Sequence, residues 1–505
     1  MALLSCLCEV LDSWRHCFVD HRTFRRAKEH ALALLVSLGR RTISRSICVL
    51  GRQFRSWGSE YRFFSHCRWK PHALFDAVLQ QAAELLGVGQ PLVIALDDTP
   101  CRKTGKRIRA AKMLRDPLSP PFHLNLCHAL RFLQAAVLLW PQQAPGAARA
   151  IPVSFDLAPP VPKPKAPRRV RRNSSPADRA AYARACRAHR QALKNYRRQQ
   201  RLEGLSAQGA KLLNTLRQRA AAIASLKDKI LWAVVDASFC NRTVFDLLDP
   251  DIVLIGRTRK DLRLYAPPGK ETHRRGRKLR YGVQLPTPEQ LRQDSSVPWK
   301  KCPIFAAGKL HQLQYKTLAP VLWRSATGTR PMRLIVIRPL SYRAHGHTLY
   351  RQAAYLLVNN PKVPLPDVLQ AYFYRWEIEV DQKEEKDLLG VGQAQVWSDV
   401  SVARQPAFHV ATYAALLLAA IKTYGMNTAA AAGRLPLWRR SKPPLRLSAA
   451  HLIANLRKDI EELETTQSAS GGKKKRAAFL ADALRERFGK KFPITARAIL
   501  ENAWT

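Results

Sequence analysis

The sequence predicts an α/β protein. Short apolar runs of strand length ("PLVIALDD", "IPVSFDL", "ILWAVVDASF", "DIVLIGRTR", "MRLIVIRPL" and "AYLLVNN") alternate with long stretches whose apolar residues recur at helical spacing. At 505 residues, 46% of them hydrophobic, the chain can bury a large core.

Residues 1–88 read as helical. "HRTFRRAKEHALALLVSLGRRTISRSICVL" and "SWGSEYRFFSHCRWKPHALFDAVLQQAAELL" mix apolar periodicity with frequent Arg, which suits a helical DNA-binding region. The opening "MALLSCLCEVLDSW" lacks the basic start of a secretory signal, and Glu9 interrupts its apolar run. Ten cysteines without a paired framework suit a reducing compartment. Cys6, Cys8, His16 and Cys17 are poorly spaced for a zinc finger, so free thiols are expected.

Residues 89–261 are expected to form the first α/β part, interrupted over 158–227. There "APPVPKPKAPRRVRRNSS" should be extended, with no means of forming a core. Ser175, Pro176 and Asp178 then mark the start of a helix loaded with Arg and Lys. Residues 262–365 have strand-like texture, and 366–404 hold a charged helix. Residues 405–505 are Ala/Leu-rich and helical, with a basic linker "TTQSASGGKKKRAAF". No internal repeat is visible, and no uninterrupted apolar run reaches membrane-spanning length.

The formal net charge is +48, from 85 Lys+Arg against 37 Asp+Glu, and it is spread along the chain. Such a surface repels itself unless a polyanion is its usual partner, and nucleic acid is the leading candidate. No membrane partner is expected.

Three carboxylates stand out against this background. Asp97 ends the run "LVIAL", and Asp236 ends "ILWAVV". A carboxylate at the end of a buried strand is poorly solvated unless it is paired or metal-bound. The third, Glu379, lies in "AYFYRWEIEVDQKEEKDLLG" (371–390). At about 100° per residue, Tyr372, Arg375, Glu379 and Lys386 share a stripe roughly 60° wide, which Lys383 joins. Glu377, Asp381 and Glu384 project to the opposite side, where solvent is expected to receive them. Two strand-end carboxylates and one helical carboxylate could supply oxygen ligands for Mg²⁺ or Mn²⁺.

The segment Tyr372 to Lys386 fits Y-x2-R-x3-E-x6-K without a gap. It resembles the signature of a large group of bacterial insertion-sequence transposases of the DDE superfamily. "ALDDT" resembles their first-acid strand, "VVDASF" their second, and "IGRTRKDLRLY" the strand after it. The resemblance spans about 50–420. It implies an RNase H-like mixed sheet flanked by helices, with a β-rich insertion at 262–365 and helical N- and C-terminal regions.

The resemblance also implies roles. Asp97, Asp236 and Glu379 become the catalytic, metal-binding triad for Mg²⁺ or Mn²⁺, with two ions; Tyr372, Arg375 and Lys386 become DNA-phosphate contacts. Asp97-Asp98-Thr99 and Asp236-Ala237-Ser238 share the form D-x-(S/T), which favours Asp97 and leaves Asp98 as the alternative. The implied activity is transposition: binding of terminal inverted repeats, metal-dependent cleavage of double-stranded DNA, and strand transfer into target DNA. A homodimer on DNA in the bacterial cytoplasm, associated with the nucleoid, is the implied setting. A nuclease that cuts without joining, or a non-catalytic DNA-binding derivative, is the alternative.

Overall fold

The computed structural model describes residues 2–501 except 88, 117–118, 121, 142–144, 172–173, 270–278, 307, 345–346, 351, 428–434, 442, 469–487 and 489–492. Most of the basic linker expected at 465–479 therefore lies outside the described residues.

The chain opens with helices α1 (Ala2–Asp12), α2 (His21–Val36), α3 (Ile43–Val49), α4 (Gly58–Ser65) and α5 (Pro71–Ala83). Strands β1 (Leu92–Arg102), β2 (Lys112–Arg115), β3 (Leu126–Leu139) and β4 (Arg149–Leu157) follow. Helices α6 (Pro176–Glu203) and α7 (Leu205–Ala221) lead to β5 (Leu231–Val235), α8 (Arg242–Leu247) and β6 (Val253–Arg257). Helix α9 (Pro288–Gln293) precedes strands β7 (Lys300–Ala306), β8 (Lys309–Leu322), β9 (Pro331–Ile337), β10 (Ser341–Ala344), β11 (His347–Tyr350) and β12 (Ala354–Val358). The chain then forms α10 (Leu365–Tyr374), α11 (Trp376–Asp387), α12 (Asp399–Tyr424), α13 (Leu437–Arg440), α14 (Ala449–Ser468) and α15 (Ala496–Glu501).

One sheet organises the molecule, in the order β2-β3-β1-β5-β6-β12-β9-β8-β7, with β4 also paired to β3. Strands β1, β3 and β4 pair antiparallel, while β5 and β6 run parallel to β1. This mixed sheet flanked by helices is the RNase H-like arrangement. The strands of 300–358 extend that same sheet, because β12 pairs antiparallel with β6. Among the described residues, β10 and β11 form a separate two-stranded sheet.

Side-chain alternation sends each central strand to two cores. Leu92, Ile94 and Leu96 of β1, with Leu231, Ala233 and Val235 of β5, join a core shared with α1, α2, α5, α7 and α12. Val93 and Ala95, with Trp232 and Val234, join the second core, against α10 and Ile378 of α11. The N-terminal helices are thus continuous with the sheet's first core, and Trp14, Phe63 and Trp69 pack around Phe408 of α12.

Helix α12 modifies one sequence expectation. By length and composition it is apolar enough to cross a membrane, with mean hydropathy 1.3 in its best window, but 83% of that window is buried inside the protein. Its polar Gln405, His409 and Thr412 are buried too, which is why the sequence shows no uninterrupted apolar run.

Candidate active site

Strand parity decides where each acid points. Asp97 continues the Val93–Ala95 face of β1, and Asp236 continues the Trp232–Val234 face of β5. The two strands are in parallel register up to Leu96 opposite Val235, so the acids follow side by side at adjacent strand ends. Asp98 belongs to the opposite parity. Its carboxylate pairs with Arg131 of β3 at 3.3 Å.

The two neighbouring acids are held differently. Ser238 donates its backbone N–H to Asp236 Oδ1 and its hydroxyl to Oδ2, both at 2.9 Å. Asp97 Oδ1 accepts the Asp98 N–H at 2.9 Å, leaving Oδ2 facing Arg375 Nη1 at 3.8 Å. Burial, together with the nearby Asp236 charge, pushes the Asp97 carboxyl up to about 7 against the opposing pull of Arg375. Burial also raises Asp98, with Arg131 opposing.

Arg375 marks a turn between α10 and α11, so the signature spans two helices joined at its own arginine. The Arg375 N–H still reaches the Ala371 carbonyl at 3.0 Å, which preserves the helical stripe across the junction. Arg375 Nη2 donates to Glu379 Oε1 at 2.7 Å, and the guanidinium therefore bridges Glu379 and Asp97. Its Nη1 is buried without a hydrogen bond. Lys386 Nζ donates to Thr99 Oγ1 at 2.5 Å, two residues beyond Asp97 on the same face of β1. Tyr372 is half-buried and lines a cleft of about 320 Å³ with Arg257, Arg338, Arg375 and Trp376. Lys383 is exposed.

The opposite side of α11 corrects the sequence expectation. Asp381 is buried, and Glu377 and Glu384 are half-buried, because α12 and residues 446–449 cover them. Glu377 pairs with Arg446 at 2.5 Å. The Tyr413 hydroxyl donates to Glu384 Oε2 at 2.6 Å and lies 3.1 Å from Asp381 Oδ1, and Glu384 Oε1 accepts the Ala449 N–H at the start of α14. Burial raises Asp381 well above the usual carboxylate range, and the surrounding carboxylates add to the shift.

Two more residues escaped the sequence reading. Gln134 is the β3 partner of Asp97 and donates at 2.8 Å to Glu385, a fully buried acid one position before Lys386. Burial pushes the Glu385 carboxyl up to about 8, against the hydrogen bond from Gln134. Nothing in the local sequence marks Gln134, since its partner is 251 positions away. Arg257 carried a weak signal, as the last residue of the run "VLIGR".

The fit to a divalent cation is uneven. Asp97 and Asp236 are a coupled, partly buried pair of oxygen donors whose mutual repulsion a cation would relieve. Glu379 is held by Arg375, and among the described residues no three His, Cys, Asp or Glu side chains converge on one metal position.

A family model described as "DDE superfamily endonuclease" matches residues 6–330. The match includes Asp97 and Asp236 and stops before Glu379. No curated protein matches the chain at a significant level.

Proposed function

The chain belongs to the DDE superfamily endonuclease family, and from that premise we propose that it is a DNA transposase acting at the ends of its own element. The observation that carries this reading is the side-by-side placement of Asp97 and Asp236 on the face where α11 presents Glu379, with Arg375 between Asp97 and Glu379. Asp97 and Asp236 would hold a divalent ion, Mg²⁺ or Mn²⁺, and Glu379 would supply the third carboxylate for a second. Bound there, the ions supply activation of the attacking oxygen and stabilisation of the leaving one in phosphoryl displacement.

The remaining work falls to the chain's own groups. Ser238 fixes both oxygens of Asp236, so that carboxylate is oriented before any ligand arrives. Arg375 carries a planar fork of donors suited to a phosphate. A DNA phosphate that draws Arg375 away from Glu379 frees the third carboxylate, so the site completes itself only on substrate. Lys386 and Tyr372 flank Arg375 along the stripe and hold the same backbone in line. Positioning of this kind can lower the barrier by several kcal/mol. The protein works as a homodimer, each copy holding one inverted repeat.

The test is a reaction with duplexes carrying the element's terminal repeats and a supercoiled target. Cleavage and joining are expected with Mg²⁺ or Mn²⁺ and none in EDTA. Cleavage without joining under all conditions would replace the transposase reading with that of a nuclease.

A further inference from the structure

Helix α6 is built unlike the rest of the protein. It runs 28 residues, about 42 Å at 1.5 Å per residue, and none of its residues is buried. Seven alanines and a full capping box at Ser175 and Asp178 explain how it forms with so little packing. It carries eight Lys/Arg against Asp178 and Glu203. At about 100° per residue, all eight cations fall within a sector about 140° wide. Arg184, Arg187, Arg190, Lys194, Arg197 and Arg201 are all exposed, and among the described residues none of them forms an ion pair.

The other face of the helix is occupied. Tyr182, Cys186, His189, Leu193 and Tyr196, spaced alternately by four and three, are half-buried. The preceding segment is extended, and its Val161, Pro164 and Pro167 are half-buried at intervals of three. Three residues per turn is the repeat of a polyproline II helix. Arg169 of that segment lies within electrostatic reach of Tyr182. The segment and α6 thus form a hairpin, apolar inside and cationic outside. Residues 158–175 add six more Lys/Arg and no acid.

One root of this hairpin is tied to β3 at Arg131, and the other to the loop that holds Asp236. Ala158 donates its N–H at 2.8 Å to the carbonyl of Arg131, whose side chain pairs with Asp98. At the other end, Ser206 donates to the carbonyl of Ser238, the residue that holds Asp236. Gln208 ties the roots together, donating to Pro159 O at 3.3 Å and Glu203 O at 2.6 Å. Gly204 sets the turn between α6 and α7: a Cβ there would lie 2.3 Å from the Gln200 carbonyl oxygen.

We propose that residues 158–204 form a DNA-gripping arm, whose cationic face follows the phosphate backbone of the duplex for about 12 base pairs away from the cleavage point. The length of α6 sets that reach, since base pairs rise about 3.4 Å each. Charge selects the occupant: fourteen cations against two acids would repel a second copy of the arm and attract a polyanion. The reading rests on DNA being the substrate, and the test separates the two.

The experiment compares the full-length protein with an Arg187→Gln, Arg190→Gln, Arg197→Gln, Arg201→Gln variant, measuring affinity for a 30-base-pair duplex against salt. The variant's log–log slope is expected to be shallower by about 3–4, at roughly 0.9 per phosphate contact, with an unchanged melting temperature. A steep wild-type slope left unaltered in the variant overturns the arm and leaves DNA recognition standing. A flat wild-type slope overturns DNA recognition itself. A variant that changes its oligomeric state and keeps the slope makes α6 a protein contact and also overturns the proposal.

Discussion

Replacing Glu385 with Gln tests how α11 is seated against the sheet. Glu385 is fully buried; one oxygen accepts from Gln134, and Oε2 has no hydrogen-bond partner. Its carboxyl rises from the ordinary 4.5 to about 8 because burial disfavours the charge. The folded protein therefore holds a proton here that the unfolded chain releases between those values. Stability from this group is fully present below about pH 4.5 and is lost as pH rises to about 8, at up to about 1.36 kcal/mol per pH unit. Gln fills the same space, accepts the same hydrogen bond and has no charge to lose. The Glu385→Gln variant should gain about 3 kcal/mol on wild type between pH 5 and pH 8. Asp97 titrates in both proteins, whereas Asp381 feels the Glu385 charge, so the difference reports Glu385 together with its repulsion of Asp381. Urea unfolding at a series of pH values measures it. Parallel pH–stability curves for the two proteins would refute the placement of Glu385 in a dry seat.

Three further outcomes follow from the site. Arg375→Lys should lose most end cleavage, because a single ammonium cannot reproduce the planar fork that grips the phosphate; Lys386→Ala should lose cleavage by more than it loses DNA binding, and an end-cleavage assay beside a binding titration checks both. Mn²⁺ affinity, read by calorimetry in the absence of DNA, should fall up to tenfold per pH unit below about pH 7, since protonated Asp97 competes with the ion; a pH-independent affinity between 5 and 7 would show that Asp97 does not bind it.

The order of the site was legible where it depends on local pattern. An apolar run ending in an acid marked both Asp97 and Asp236, and the helical stripe joined Arg375, Glu379 and Lys386. The choice between Asp97 and Asp98 rested on the D-x-(S/T) form, because both faces of β1 are buried and periodicity alone could not separate them. Strand parity puts Asp97 on the same face as Asp236 and turns Asp98 toward Arg131. What could not be read was whatever depends on distant partners. The acids opposite Glu379 looked solvent-bound because the covering groups, Tyr413, Arg446 and the start of α14, lie far along the chain. The pairing of β12 with β6, which brings the strands of 300–358 into the main sheet, is equally non-local.

The most direct test of the central claim compares four single variants in one assay of metal-dependent end cleavage, each matched for DNA affinity. Asp97→Asn, Asp236→Asn and Glu379→Gln should each fall by at least about a thousandfold, in keeping with the loss of a group that acts on the transition state. Asp98→Asn, whose side chain faces Arg131 across the strand, should retain cleavage within about tenfold, the factor that corresponds to about 1.4 kcal/mol. An inactive Asp98→Asn beside an active Asp97→Asn, or a fully active Asp236→Asn, would contradict the account.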